Sequence, residues 1–382
     1  MSKRLVLLGG GHAHVHVLQD LARERLAGAQ AVMITPFARQ MYSGMVPGLV
    51  AGHYTAAQCA IPLVPLATRA GVQMIEGSAV ALDAAARVVH LADGRTAEYD
   101  VLSLDTGATM DRDRLPGARE HALFVRPIER FVVLLDGLVQ LAAQRVLDVV
   151  VVGGGAAGVE LAMALQYRLS GHGTERARVA LVTGGPEPLQ GYPEGVMRRG
   201  AAALAARHIT VFRDTCAEIQ PGSVVLGSGA RLACDAPVLA TGAEPPPWLR
   251  GSGLALDAQG FVSTGPTLQS NSHPEVFAAG DVATRLDAPH PRSGVYAVRA
   301  GPPLAQNLRR CVGGGALQPH TPQSRTLNLI SCGERNAIMA WGDWVAQGHW
   351  AWWWKDRIDR RFVARYSALA GVVATPTVTP RT

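Results

Sequence analysis

Polar and apolar positions along this chain fall into a repeated pattern: a short apolar run, a knot of glycines, then a stretch with helical spacing. Leu5-Val-Leu-Leu8 has the uninterrupted apolar character of a buried parallel strand, and Gly9-Gly-Gly11 follows as a tight turn. The spacing then predicts a helix over Val15–Arg25, a strand over Ala29–Thr35, a helix over Ile61–Ala70 and a strand over Val72–Glu76. Tyr42–Gly48 is a turn-rich connector. Val80–Leu91 and Tyr99–Leu104 carry short alternating runs around Asp93-Gly94, a hairpin-type turn, and the region closes on Thr106-Gly107-Ala108.

After Pro116-Gly117 and a predicted helix at Ile128–Leu141, the pattern restarts. Asp148-Val-Val-Val-Val152 leads into Gly153-Gly-Gly155-Ala-Ala-Gly158, a helix to about Leu169 and a strand at Arg178–Thr183. Short strands follow at Ile209–Phe212, Glu218-Ile219, Val224-Val225 and Arg231-Leu232, and Thr241-Gly242-Ala243 echoes the first closure. The offset between the two copies is roughly 140 residues, far beyond solenoid repeats. Beyond Gln259–Val262, the run Val276-Phe-Ala-Ala-Gly280-Asp281 places a carboxylate at the end of a buried strand, where open parallel sheets bind ligands. A helix is predicted over Tyr296–Cys311, entered from Arg292-Ser-Gly294. The reading is α/β: two Rossmann-like three-layer dinucleotide-binding domains, the second inserted in the first, plus a small C-terminal α+β region. The expected boundaries are 1–115 and 251–311 for the first domain, 116–250 for the second and 312–382 for the C-terminal region.

The glycines matter because a glycine turn lets backbone N–H groups and the positive end of a helix approach a pyrophosphate. The second loop, Gly153-x-Gly155-x-x-Gly158, is the complete dinucleotide fingerprint. The first, Gly9-x-Gly11-x-x-His14, lacks the third glycine. A side chain at His14 should push the helix outward or turn its imidazole into a polar contact; packing is expected, with His12 nearer the pyrophosphate. Thr35 ends the second strand where an acid usually meets the ribose, and its hydroxyl is the expected substitute. Thr183-Gly184-Gly185 offers neither an acid nor an arginine, which leaves NADH and NADPH both open. His12, His14 and His16 alternate, but at a helix start they diverge, so no metal site is expected.

Composition narrows the classes. The 382 residues are 48% hydrophobic and 17% charged with 42 glycines, a globular composition rich in tight turns. The net charge of +6 is spread along the chain and carried by arginine, since Lys3 and Lys355 are the lysines. Nothing in that distribution points to nucleic acid. Cys59, Cys216, Cys234, Cys311 and Cys332 show no metal or CxxC spacing, and the first strand starts almost at once. A reduced, cytoplasmic setting is expected. The tail carries Trp341, Trp344, Trp350 and Trp352-Trp353-Trp354 before Lys355. Trp354, Ile358, Phe362 and Leu369 lie near helical spacing with arginines between them. That pattern suits packing over the first domain, or an amphipathic helix resting on the inner face of the cell membrane.

Together, Gly9–His14, Thr106–Ala108, Gly153–Glu160, Thr241–Ala243 and Ala279-Gly280-Asp281 resemble the pyridine nucleotide–disulfide reductase superfamily. Within it the chain is similar to type II NADH dehydrogenases and to the dehydrogenase-like flavoproteins fused to selenide, water dikinases. Tyr42-Ser-Gly-Met-Val-Pro-Gly48 and Lys355-Asp-Arg-Ile-Asp-Arg360 carry the second likeness. The resemblance implies FAD, with its pyrophosphate at Gly9, Gly10, Gly11, His12 and Ala13 and its adenosine near Thr35 and Val80. It implies Thr106 and Gly107 beside the cofactor, and Gly280 and Asp281 on the ribityl–phosphate portion. A helix start at Tyr296 and Ala297 would aim at the flavin ring. NAD(P)H would lie over Gly153, Gly155, Ala156, Ala157 and Gly158, with Glu160 near the nicotinamide and Gly242 at the closure.

Hydride transfer from nicotinamide to flavin needs no protein acid or base, so no catalytic residue is nominated. The expected partners are a nicotinamide nucleotide and a quinone or small-molecule acceptor, and a homodimer is compatible. The paired cysteines of the disulfide reductases are absent from the Tyr42–Gly48 region, and Ala297-Val-Arg299-Ala-Gly301 lacks the glutamines of the quinone motif. Cys332 keeps a sulfide:quinone reductase-like alternative, although that group has a degenerate second fingerprint. The other alternative is a flavin-binding partner or sensor with little turnover, linked to selenium or sulfur metabolism.

Overall fold

The computed structural model describes residues 2–170 and 177–371. The first unit begins with β1 (Lys3–Leu8), α1 (His12–Arg23) and β2 (Ala29–Thr35), followed by α2 (Leu63–Ala70), β3 (Gln73–Glu76) and β4 (Val101–Leu104). The second has β5 (Leu123–Phe124), α3 (Ile128–Ala142), β6 (Leu147–Val152), α4 (Ala156–Leu169), β7 (Ala177–Val182), β8 (Thr210–Phe212) and β9 (Ala236–Leu239). Then come β10 (Val276–Ala278) and α5 (Gly294–Gly313). The C-terminal region has β11 (Leu327–Ser331), β12 (Ala337–Trp341), β13 (Trp344–Gly348) and α6 (His349–Leu369). Residues 372–382 of the expected C-terminal region lie outside the described residues.

Two five-stranded sheets result, in the orders β10-β4-β1-β2-β3 and β5-β9-β6-β7-β8, with every pair parallel. In each, the glycine loop leaves a central strand and its helix returns over one face. Alternation along the central strands feeds both faces: Leu5 and Leu7 pack on the α1 side, Val6 and Leu8 on the other. Val149 and Val151 divide from Val150 and Val152 in the same way. Each sheet carries a small antiparallel ribbon, at residues 79–98 and 216–233. Gly94 makes the predicted turn in the first of these at φ +85°. Strand β10 pairs with β4 across the whole intervening second unit, which makes that unit an insertion.

Two predicted helices change shape. The first starts at His12 rather than Val15, because Gly11 is already extended (φ −73°, ψ −177°) and releases the helix directly after it. In the predicted helix Ile61–Ala70, residues Ala60–Pro62 instead form a strand against Arg39–Met41. Pro62 biases Ile61 away from helical backbone, and the helix begins one residue after the proline. Helix α6 then lies against the C-terminal hairpins and against strand Ala60–Pro62 of the first unit.

Candidate functional site

The main cavity runs from the ends of β1 and β2 to the start of α4 and α5, and encloses about 1650 Å³ counted out to its mouth. Its enclosed part, about 410 Å³, is of the size that ligand pockets typically have, about 300–1,000 Å³. One end is lined by Thr35, Phe37, Ser78 and Ala79. The middle is Gly9–His12 with Thr106–Ala108. The far end combines Asp281, Ser293, Gly294 and Ala297 with, from the second unit, Glu129, Ala157, Glu160 and Leu161.

At Gly9 and Gly11 the loop packs too closely on Asp105 to admit a side chain. A Cβ on Gly9, which sits at φ +96°, would stand 2.4 Å from the Asp105 carbonyl oxygen. One on Gly10 would stand 2.5 Å from Leu63 Cδ1, and one on Gly11 2.3 Å from Asp105 Oδ1. His14 does pack, and it does so by polar contact. Its ring is buried, with Nδ1 2.7 Å from the Gly9 carbonyl and Nε2 2.8 Å from Ser103 Oγ. Burial lowers its pKa to about 4, so the ring is neutral and Nδ1 carries the proton given to Gly9. His12 instead lines the cavity, within 3.3 Å of both Gln40 Nε2 and Ser43 Oγ. Burial takes it to about 4 as well. His16 faces a different cavity altogether. Among the described residues no cluster could hold a metal ion.

Asp105 is the residue that sequence reasoning missed. It is buried, accepts the His14 backbone N–H at 2.8 Å, and burial raises its pKa to about 7. Its position before Thr106-Gly107-Ala108 was visible, but not that its carboxyl folds back onto the start of α1. Asp281 lines the cavity as expected and is paired with Arg126 at 2.9 Å. Gly280 lies behind it at φ +71°, where a Cβ would press on Asp105 Oδ1 at 2.8 Å. Gln40 also escaped the sequence, and its Oε1 is buried in the cavity wall without a partner.

Two expected residues lie elsewhere. Val80 points into solvent and its strand neighbour Ala79 faces the groove, because neighbouring residues on a strand face opposite ways; Ser78, just before the strand, lines the groove as well. Tyr296 stacks on His290 at 4.1 Å and lines a small adjoining cavity that shares Asp281, Ser293 and Ala297 with the groove; Ser293, Gly294 and Ala297 present the α5 start to the groove itself. Ala13 is buried beneath the loop, and Thr35 sits at the groove with its hydroxyl accepting the Phe37 N–H at 3.4 Å.

In the second loop, Gly153 is at φ +134°, and a Cβ on Gly158 would fall 1.8 Å from the Gly153 carbonyl oxygen. Gly155, Ala157 and Gly242 are open to solvent, and Ala156 is partly so. Glu160 accepts the Ser331 N–H at 2.7 Å, and burial pushes it up to about 7 despite the nearby Lys355 ammonium. Lys355 donates to Asp359 at 2.6 Å and to the Gly44 carbonyl. Burial works against its charge, yet Asp359 and Glu160 hold its pKa above the ordinary lysine value. Phe362 of α6 stacks on Tyr42 at 4.5 Å, and Trp352 is buried, whereas Trp344 is 81% and Trp353 62% exposed. The tail helix therefore packs on the first unit and still shows aromatics outward. No described helix is long and apolar enough to cross a membrane.

The comparisons agree with this architecture. The pattern of the family described as pyridine nucleotide-disulphide oxidoreductase matches residues 3–307. An NADH dehydrogenase-like protein of Mycobacterium tuberculosis is 31% identical over 308 residues, covering 75% of this chain and 74% of the relative. The demethylphylloquinone reductase of Synechocystis sp. is 28% identical over 299 residues, covering 75% and 73%. Among solved structures, the sulfide:quinone oxidoreductase of Aquifex aeolicus superposes with a TM-score of 0.80 at 19% identity, covering 96% of this chain and 92% of that one. NDH2 of Plasmodium falciparum in complex with NADH gives 0.78 at 12% identity, covering 96% and 98%. This chain belongs to the pyridine nucleotide-disulphide oxidoreductase family, as an NAD(P)H dehydrogenase-type oxidoreductase.

Proposed function

We propose that the chain is an FAD-dependent NAD(P)H dehydrogenase that hands electrons to a quinone or similar small acceptor. One observation carries this reading: a single groove joins the glycine loop of the first unit to Ala157, Glu160 and Leu161 of the second. A cofactor seated at the first loop and a nucleotide seated at the second would share that space.

The residues present suit FAD. Gly9, Gly10 and Gly11 line the groove, and a Cβ on Gly9 or Gly11 would collide with Asp105, so the loop keeps a bare backbone whose N–H groups a pyrophosphate could meet. Thr35, Ser78 and Ala79 would border the adenosine end, Asp281 the ribityl–phosphate portion, and the start of α5 the ring. The partnerless Gln40 Oε1 is a hydrogen-bond acceptor awaiting a donor in the same wall. When bound, flavin supplies a two-electron carrier between a hydride donor and an acceptor. The chain's own contribution is positional. The α5 N-terminus favours negative charge beside it. Gly153–Gly158 would hold the nicotinamide nucleotide, and α6, through Phe362 on Tyr42 and Lys355 on Gly44, braces the segment either side of the groove residue Ser43.

The thiol-based alternative has less support. Among the described residues no cysteine lines the groove, and burial pushes Cys59 and Cys332 up to about 12, so neither is a thiolate at neutral pH.

Anaerobic addition of NADH or NADPH should bleach the flavin band near about 450 nm, and a quinone should restore it. No bleaching with either nucleotide overturns the enzyme reading and favours the sensor alternative. We further infer that Trp344, Trp353 and their exposed neighbours rest on the inner membrane face. Co-sedimentation with anionic vesicles, lost in a Trp344→Ser, Trp353→Ser variant, tests that attachment.

A further inference from the structure

A second cavity, of about 400 Å³, opens on the far side of α5 and shares no residue with the main groove. It is lined by His16 of α1, by Val298, Arg299 and Pro302 of α5, by His320, Thr321 and Gln323 of the loop before β11, and by Arg365 and Tyr366 of α6. Four separate segments thus converge on it.

Its chemistry is one-sided. No acidic residue lines it, while two guanidinium groups do. Arg23 lies close enough to join Arg365 in disfavouring a proton on His16. Asp20, the carboxylate that also acts on His16, is already engaged by Arg309 at 2.6 Å. Among the described residues, Arg299 makes no ion pair. Burial keeps His16 and His320 below the ordinary histidine range, so at neutral pH both rings are uncharged and the positive charge belongs to arginine. Gln323 Nε2 is buried there with no acceptor. The unpartnered buried donor is costly, and one anion would satisfy it while meeting the two guanidinium groups, which are themselves solvent-exposed. Val298, Pro302 and the Tyr366 ring add an apolar wall, which asks for more than a bare ion.

We propose that this cavity is a binding site for a small organic anion, a planar or apolar body bearing one carboxylate or phosphate that meets Arg299, Arg365 and Gln323. The site is separate from the nucleotide groove and does not depend on which acceptor the enzyme uses.

The test uses the flavin-loaded full chain and three probes of similar shape: benzoate, phenyl phosphate and the neutral benzamide, titrated calorimetrically. Saturable binding of benzoate or phenyl phosphate, with benzamide at least tenfold weaker, is expected. The tighter of the two anions identifies the headgroup. Each of Arg299→Gln and Arg365→Gln should weaken the anion about tenfold, the loss of one charge-assisted hydrogen bond, and Gln323→Leu about threefold to tenfold. Arg299→Lys should recover part of the loss. Bleaching by NADH should persist in all of these variants, which separates this site from the dehydrogenase reading. Absence of saturable anion binding, equal binding of benzamide, or unchanged affinity in the folded Arg299→Gln, Arg365→Gln double variant overturns the proposal.

Discussion

The two glycine loops of this chain do the same job with different closures. In both, the first glycine sits under a carbonyl of the closing segment: Asp105 over Gly9, Ala240 over Gly153. In the second loop the third glycine brings helix and strand into direct contact, and nothing lies within 4 Å of where a Gly155 Cβ would be. In the first, an imidazole replaces that contact with two hydrogen bonds, and a carboxylate occupies the space beside Gly11. The first loop is thus wired into the interior, while the second is left open at its rim. That suits a resident cofactor in one and an exchanging nucleotide in the other.

The largest expected effect comes from the second glycine of the first loop, set against its counterpart in the second. Gly11→Ala would drive a methyl into Asp105 and should cost about 3 kcal/mol in urea unfolding, with loss of flavin on purification. Gly155→Ala should cost below about 1 kcal/mol. Equal costs would dissolve the distinction between the loops. Next in size is His14→Gly, which completes the first fingerprint on paper. It leaves Ser103 and the Gly9 carbonyl without partners and opens a void, so about 2–3 kcal/mol should be lost. A gain in stability would show that the imidazole is a burden rather than a strut.

A subtler probe is Asp105→Asn. Burial raises Asp105 to about 7, so between its unfolded value of about 4 and pH 7 the folded chain keeps a proton that the unfolded chain has lost. Its contribution is complete below pH 4 and disappears as pH rises through 7. The difference in unfolding midpoint, Asn variant minus wild type, should therefore grow over that window. The buried histidines near 4 slope the other way between 4 and 6.5 in both proteins, and they cancel in the difference. A flat difference would mean that Asp105 does not titrate there. Smallest of all is Val80→Ala, which should change stability by under about 0.5 kcal/mol and leave flavin retention intact.

The strand–loop–helix units were legible because their period and glycine spacing are local properties. The insertion was legible as well, since Gly280-Asp281 ends a strand with no sheet of its own nearby in sequence. Side-chain aim was harder to read. Val80 and Ala79 differ by one position on a strand, which flips the face, and two or three residues at a helix start turn Tyr296 away from the groove that Ser293 and Gly294 meet. Asp105 and Gln40 left no trace, since their roles arise from contacts across 91 and 28 residues of chain. The anion cavity assembles from four distant segments and has no motif at all.

The pairing of β10 with β4 sets an order of events during synthesis. Val276, Phe277 and Ala278 meet Leu102, Ser103 and Leu104 in register, so the first sheet has an open apolar edge until the entire second unit has left the ribosome. The inserted unit holds its five strands within residues 123–239 and can close first. The inserted unit can then fold before the sheet that hosts it is complete. Until it is, the bare β4 edge is where the nascent chain most needs a chaperone or an early flavin.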